Sequence, residues 1–358
     1  MRTPPTVPST VSPAVSPAVP QRLLGGLPVS AQGFGCLATT TFYGTPDQRT
    51  ALRTIQAAID SGVTLLDTAD VQGLGAGEEL LGRAVGGRRD QVLLATKFGM
   101  IRSAEGVFQG LCGDPAYVRS ACEASLRRLG VDHLDLYYQH WIDPDVPVEE
   151  TAGAVGELIR QGKVRRFGLC EPSASTVRRA HAEQQVTAVQ SEWSLWSRDL
   201  EQGPADGPAD GPADPADSVL AVCRERGIGI VAYAPLGRGF LTGTVQRTEA
   251  LAADDFRRGL PRFSPENLPG NLALPRALRP VADRLGLSLP QLALAWLHHQ
   301  GPDVVPIPST SDAGHLAENL AAATAVLSDQ DLRAIEEAAA VPVRGARYPA
   351  AMLVMTGR

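Results

Sequence analysis

Three short apolar runs, each ending on a reactive side chain, constrain the fold of this chain most. The run TLLD ends on Asp67, the run QVLLATK on Lys97 and the run HLDLYYQH on His140. Buried parallel strands are nearly continuous apolar runs, and barrel enzymes carry their reactive groups at the carboxyl ends of such strands. The pattern therefore predicts a parallel sheet whose strand ends bring together an acid, an amine and an imidazole.

Strand and helix patterns alternate along most of the chain, which favours one α/β domain over a sandwich or a bundle. Strands are predicted at 32–37, 64–67, 92–96, 134–140, 164–170, 188–191, 228–233 and 304–307. Helices are predicted at about 46–61, 77–86, 115–129, 147–161, 173–183, 218–226, 275–285, 290–300, 312–322 and 329–339. Eight strands in this order indicate a (β/α)8 TIM barrel that occupies residues 21–358.

Two segments have compositions that do not suit a packed core. Residues 1–20 are rich in Pro, Ser and Val and are predicted to be a disordered tail. Residues 203–217 repeat Gly-Pro-Ala-Asp, which excludes a helix and predicts a flexible acidic insertion.

Composition excludes several classes of partner. The net charge is −6 and no basic run is present, so neither a nucleic acid nor a membrane is expected as a partner. The five cysteines have no Cys-x-x-Cys spacing, which indicates free thiols, no metal site and a cytoplasmic location. Lysine occurs only at Lys97 and Lys163. Retention of an amine at Lys97, in a chain that otherwise uses arginine, suggests a specific role for it.

The strand ends and several further motifs resemble the aldo-keto reductase family, over residues 22 to 358. The matching stretches are DTAD at 67–70, ATKFG at 95–99, VQSE at 189–192, AYAPLGRGFLTG at 232–243 and VPIP at 305–308. The resemblance implies the same (β/α)8 barrel, closed at the bottom by an N-terminal hairpin at about 23–29, and an oxidoreductase that acts on a carbonyl or alcohol. The family's proton-donating Tyr follows the Asp by five residues, and that position is Gln72 here.

By resemblance, the catalytic residues are Asp67, Lys97 and His140, with Gln72 in the place of the Tyr. An amide donates a hydrogen bond but does not release a proton near neutral pH, so Gln72 polarises a carbonyl without protonating it. His140 or Tyr43 are alternative proton donors. Non-redox chemistry by Lys97 as a base or carbonyl-trapping amine, and an inactive barrel used for binding or as a scaffold, also remain open.

The same resemblance implies a cofactor site for NADPH, with NADH as an alternative. Tyr233 stands where the family stacks a ring on the nicotinamide, and Gln190 where an amide holds its carboxamide. Looser matches, or positions in loops that face phosphate and adenine, are Cys170, Glu171, Leu236, Arg238, Ser309, Thr310, His315 and Asn319. The loop at 308–319 has no Lys or Arg to fix a 2′-phosphate, and Ser311 or Asp312 resembles a helix N-cap.

The expected substrate is a small-molecule carbonyl compound, and Trp141 and Trp193 suggest a fairly large apolar or ring-shaped one. Its wall is predicted to comprise Tyr43, Trp141 and Trp193, with a long segment at 244–274 that folds over the cofactor. The sequence does not specify the compound or the oligomeric state.

Overall fold

A sheet of eight parallel strands forms the centre of the computed structural model, which describes residues 19–40, 42–44, 46–203 and 217–356. Its strands, in chain and spatial order, are β3 (Phe34–Gly35), β4 (Leu65–Asp67), β5 (Leu93–Phe98), β8 (Leu136–His140), β9 (Phe167–Cys170), β10 (Val186–Glu192), β11 (Gly229–Tyr233) and β12 (Val304–Pro306). All eight predicted strands are present. The predicted tail at 1–20 and the insertion at 203–217 lie almost wholly outside the described residues.

The sheet closes into a barrel between its first and last strands. The amides of Gly33 and Gly35 donate to the carbonyls of Pro306 and Pro308, at 3.0 and 3.1 Å. Prolines have no N–H to return such a bond. The predicted TIM barrel is therefore confirmed, while β3 is much shorter than the predicted 32–37 because its partner cannot complete a regular ladder.

Helices alternate with the barrel strands and cover the outside of the sheet. They are α1 (Gln48–Asp60), α2 (Ala76–Val85), α3 (Pro115–Leu129), α4 (Val148–Arg160), α5 (Ala174–Glu183), α6 (Val219–Arg226), α7 (Leu268–Asn271), α8 (Ala273–Leu285), α9 (Leu289–His298), α10 (Ala313–Ala321), α11 (Asp329–Ala339) and α12 (Ala350–Leu353). Local chemistry sets their ends. Asp114 accepts hydrogen bonds from two amides in the first turn of α3, and Ser328 forms a capping box at α11.

An N-terminal hairpin closes the bottom of the barrel. Its strands β1 (Gln21–Leu24) and β2 (Leu27–Ser30) are antiparallel, as predicted from the family resemblance. Leu24 and Val29 pack with Leu65, Tyr138 and other residues inside the barrel. The barrel interior is thus filled with side chains, and only the end formed by the carboxyl ends of the strands is open to ligands.

Parts of the open end of the barrel were not predicted. A second hairpin, β6 (Met100–Arg102) with β7 (Phe108–Leu111), stands after β5 at the open end. A C-terminal segment after α11 returns across the same end and buries Arg347 and Tyr348. In the described ranges, no helix has the length and apolar character needed to cross a membrane.

Candidate active site

A cavity of about 1340 Å³ opens at the carboxyl ends of the barrel strands. It extends from Asp67, Lys97 and His140, at the ends of neighbouring strands, to the loop after β12 and the start of α9. Ligand pockets in proteins are typically about 300–1,000 Å³. The cavity therefore has room for two ligands side by side, or for one long ligand.

Backbone strain concentrates around this opening. Within the described residues, the non-glycine residues with positive φ are Leu74, Trp141, Glu171, Ala234 and Arg238. All five follow a strand at its carboxyl end, and three of them come directly after β8, β9 and β11. Left-handed backbone costs free energy for such residues and clusters at functional sites, so this end of the barrel is the candidate site.

Asp67 and Lys97 form a buried ion pair at the base of the cavity. The Lys97 ammonium donates to Asp67 Oδ1 and, at 2.6 Å, to the carbonyl of Thr68. Gln190 Nε2 donates to the other Asp67 oxygen at 2.8 Å. Burial raises the pKa of Asp67 above its ordinary value, although Lys97 and Gln190 act in the opposite direction. These hydrogen bonds hold the Lys97 amine at the base of the cavity.

His140 is a neutral imidazole. Burial, with the nearby cations Lys97 and Arg102, lowers the pKa of His140 to about 3. Its buried Nδ1 has no hydrogen-bond partner in the described part of the chain. A pKa of about 3 does not favour His140 as the proton donor near neutral pH, because the ring carries no extra proton there; a neutral ring still donates one N–H.

Gln72 lies on the cavity wall, in the turn between β4 and α2. Its Oε1 accepts a hydrogen bond from Thr68 Oγ1 at 3.2 Å. Gly73 and Leu74 continue the turn with φ of 60° and 54°. The amide nitrogen of Gln72 has no partner among the described residues and is available to a ligand.

Most of the predicted cofactor residues line the cavity. These are Cys170, Gln190, Tyr233, Leu236, Arg238, Ser309, Thr310, His315 and Asn319. Asn319 is only 3% exposed and its amide has no side-chain partner within the described ranges, so a ligand can satisfy it. Asp312 is the N-cap of α10 and accepts from the His315 amide at 2.8 Å.

Glu171 is a correction, because it does not line the cavity. Its backbone has a φ of 53°, and both of its carboxylate oxygens accept from Arg347, at 2.9 and 2.8 Å. The pair is buried. The carboxylate is thus committed to the C-terminal segment instead of a nicotinamide carboxamide.

Arg238 reaches the cavity, but its charge is already paired. Its Nη2 donates to Glu192 at 2.7 Å and to the Tyr348 hydroxyl at 2.7 Å, and its Nη1 lies 3.4 Å from the Tyr43 hydroxyl. The guanidinium is buried. Arg238 therefore holds neighbouring side chains in place around the opening. It is not a free cation for a pyrophosphate.

Two of the three side chains predicted for the substrate wall line the cavity. Tyr43 and Trp141 line the cavity, as do Thr244, Asp254, Phe256 and Arg257 of the long segment. Trp193 is a correction: it is 1% exposed, donates to Glu201 at 2.7 Å and packs edge-on against Trp296. It belongs to the core behind the wall.

Sequence reasoning missed many of the residues that line the cavity, among them Tyr348 and Arg279. Tyr348 comes from the C-terminal segment, and no local pattern marks it. Arg279 of α8 lines the far end, near Gly243, and has no partner among the described residues. It is a cation on the cavity wall, whereas the loop at 308–319 has no Lys or Arg, and the sequence of its helix is typical of an ordinary amphipathic surface helix.

Comparison with known proteins agrees with this geometry. The family model described as "Aldo/keto reductase family" matches residues 33–340. The structure is similar to a glycerol dehydrogenase from Gluconobacter oxydans (28% identity, 89% of this chain and 94% of that chain, TM-score 0.76). It is also similar to an aldo/keto reductase from Klebsiella pneumoniae in complex with NADP and acetate (27%, 92% and 98%, 0.67) and to the holo form of one from Bacillus halodurans (25%, 92% and 99%, 0.69).

Proposed function

Because this chain belongs to the aldo/keto reductase family, we propose that it is an NAD(P)H-dependent oxidoreductase that interconverts a small carbonyl compound and its alcohol. The observation that carries this proposal is the buried Asp67–Lys97 pair at the base of a cavity large enough for a dinucleotide and a substrate. A nicotinamide dinucleotide, when bound, supplies the hydride for carbonyl reduction.

The cavity has the groups that such a cofactor requires. The ring of Tyr233 and the amide of Gln190 lie at the reacting end, while Asn319 and the hydroxyls of Ser309 and Thr310 lie at the other. Arg279 adds a free cation, which suits a phosphate. NADPH is the proposed cofactor, as in the Klebsiella pneumoniae structure, with NADH as an alternative.

The chain's own residues polarise the carbonyl. The Gln72 amide nitrogen and one N–H of His140 donate hydrogen bonds to the carbonyl oxygen, and the Lys97 ammonium stabilises the negative charge that develops there. Neither Gln72 nor a neutral His140 releases a proton readily. Proton delivery therefore differs from the family pattern, and its source is argued in the next section.

Equilibrium binding tests the proposal without a known substrate. NADPH and NADH are titrated against the purified protein, with quenching of its four tryptophans as the signal. Binding of either, followed by carbonyl-dependent oxidation of the bound nucleotide in a substrate screen, is the expected result. No binding at millimolar nucleotide, or binding without turnover of any carbonyl, overturns the proposal and leaves non-redox catalysis or a scaffold role.

The five cysteines are unpaired, and four of them are buried. Free thiols persist in reducing compartments, so we place the proposed activity in the cytoplasm.

A further inference from the structure

The family's proton donor is a tyrosine, so all six tyrosines of the chain are candidates for that role. All six fall within the described residues. Tyr117, Tyr137 and Tyr138 do not line the cavity: the first lies on α3, the second packs against the helices and the third fills the barrel interior. Three candidates therefore remain, Tyr43, Tyr233 and Tyr348.

Tyr348 is the most tightly held of the three. Arg238 Nη2 donates to its hydroxyl at 2.7 Å, and the Tyr233 hydroxyl lies 3.1 Å away. Its ring packs edge-on against Trp141, the residue after His140, with centroids 5.7 Å apart. Tyr348 thus lines the same wall as His140 and Trp141, with a cation on its phenol oxygen.

The other two hydroxyls are less suited to proton transfer. Tyr43 has only a 3.4 Å contact to Arg238, and its ring lies under the Arg257 guanidinium, 5.0 Å from the ring centroid. Tyr233 ends β11, where its ring is the proposed platform for the nicotinamide, and its hydroxyl already pairs with Tyr348.

We propose that Tyr348 gives the proton to the substrate oxygen in place of the family's tyrosine, with Arg238 as the residue that positions it. The inference rests on the proposed function. During carbonyl reduction the carbon would take the hydride that a bound nicotinamide dinucleotide supplies, while the C=O π electron pair moves onto the oxygen, which takes the proton of Tyr348 Oη. The phenol O–H bond breaks, the phenolate left behind is stabilised by Arg238, and a solvent proton restores it.

The acidity of the phenol agrees with this role. Burial, with the Glu192 and Glu171 carboxylates, raises the pKa of Tyr348 to about 12, although Arg238 and Arg347 oppose the shift. Tyr348 therefore holds its proton at neutral pH. An alkoxide still takes that proton readily, because its conjugate alcohol is a much weaker acid than a phenol.

Turnover and nucleotide binding of Tyr348→Phe test the proposal, with Tyr137→Phe as the matched control. Tyr137→Phe also removes one phenol hydroxyl, and the hydroxyl of Tyr137 is buried and has no partner in the described part of the chain. We expect Tyr348→Phe to lower kcat by about 10²–10⁴, with NADPH affinity within about threefold of the unmodified protein. Adding Gln72→Tyr to Tyr348→Phe is expected to restore turnover, because it returns a phenol to the family's position.

A second readout needs no nucleotide. The tyrosinate absorbance of the unmodified protein, minus that of Tyr348→Phe, is followed as the pH is raised. No difference is expected below about pH 10.

Full turnover by Tyr348→Phe, or a Tyr348 phenolate at neutral pH, overturns this inference and leaves the proposed function standing. A protein that binds no nucleotide, or that reduces carbonyls only after Gln72→Tyr, overturns both.

Discussion

The two ends of the cavity are built on opposite principles. At the reacting end Asp67, Lys97 and Gln190 are nearly inaccessible to solvent and satisfy one another. At the other end, where we propose that the nucleotide binds, His315 and Arg279 are exposed, and Arg279 has no partner among the described residues. The first arrangement is fixed before any ligand arrives, whereas the second is completed by the ligand. Substitutions at the reacting end should therefore change turnover and stability, whereas substitutions at the other end should change nucleotide affinity.

Replacing Lys97 should produce the largest effect. We expect Lys97→Met to lower kcat at least about 100-fold, because the charge that stabilises the developing oxyanion is lost. Lys163→Met is the matched control, since Lys163 is the only other lysine and pairs with Glu123 at the surface. The measurement is a steady-state assay on a carbonyl that the unmodified protein reduces. Full turnover by Lys97→Met contradicts the proposed difference between the two ends of the cavity.

Breaking the buried pair of Glu171 and Arg347 should mainly affect stability. Arg347→Met leaves the Glu171 carboxylate buried without its guanidinium, which typically costs about 3–5 kcal/mol. Arg179→Met is the control, because Arg179 makes the same bidentate pair with Glu149 but at the surface. Urea unfolding measures both. Equal midpoints for the two variants show that the C-terminal segment does not stabilise the reacting end.

Asp70, behind Lys97, should give the reacting end a pH-dependent stability. Burial, and then the Glu78 carboxylate, raises the pKa of Asp70 to about 7. The folded state then binds more protons than the unfolded state between about pH 4 and 7, so stability falls as the pH rises through this window. Each pKa unit is worth about 1.4 kcal/mol, and we expect roughly 2 kcal/mol after solvent screening.

Asp70→Asn should flatten that dependence, because an amide does not titrate. Urea midpoints at several pH values measure it. An unchanged slope in Asp70→Asn assigns the pH dependence to other groups.

Arg279 should have the smallest effect, confined to the nucleotide end. We expect Arg279→Met to weaken NADPH binding about tenfold and NADH binding hardly at all, since only NADPH carries the 2′-phosphate. Arg276→Met, one turn earlier on α8 and outside the cavity wall, is the control. An equal loss for both nucleotides places Arg279 on a shared part of the cofactor; no loss removes it from the site.

The sequence predicted the structural features that depend on residues close together in the chain. Each barrel strand was visible as an apolar run, and Asp67, Lys97 and His140 reach the cavity because they end such runs. Contacts between distant segments were not visible: Glu171 and Arg347 are 176 residues apart, and that pair removed Glu171 from the predicted cofactor site. The prediction that Trp193 lines the substrate wall was wrong for a related reason, since a large ring at a strand end suits a ligand wall and a core equally well.

The closure of the barrel has a consequence for local motion. Pro306 and Pro308 accept from Gly33 and Gly35 but have no hydrogen to give back, so this junction is held by fewer backbone bonds than a regular parallel ladder. Openings of a folded protein begin where such bonds are sparse. In deuterated solvent the amides of Gly33 and Gly35 should therefore exchange earlier than those at the centre of β10, and the barrel should open first along this line.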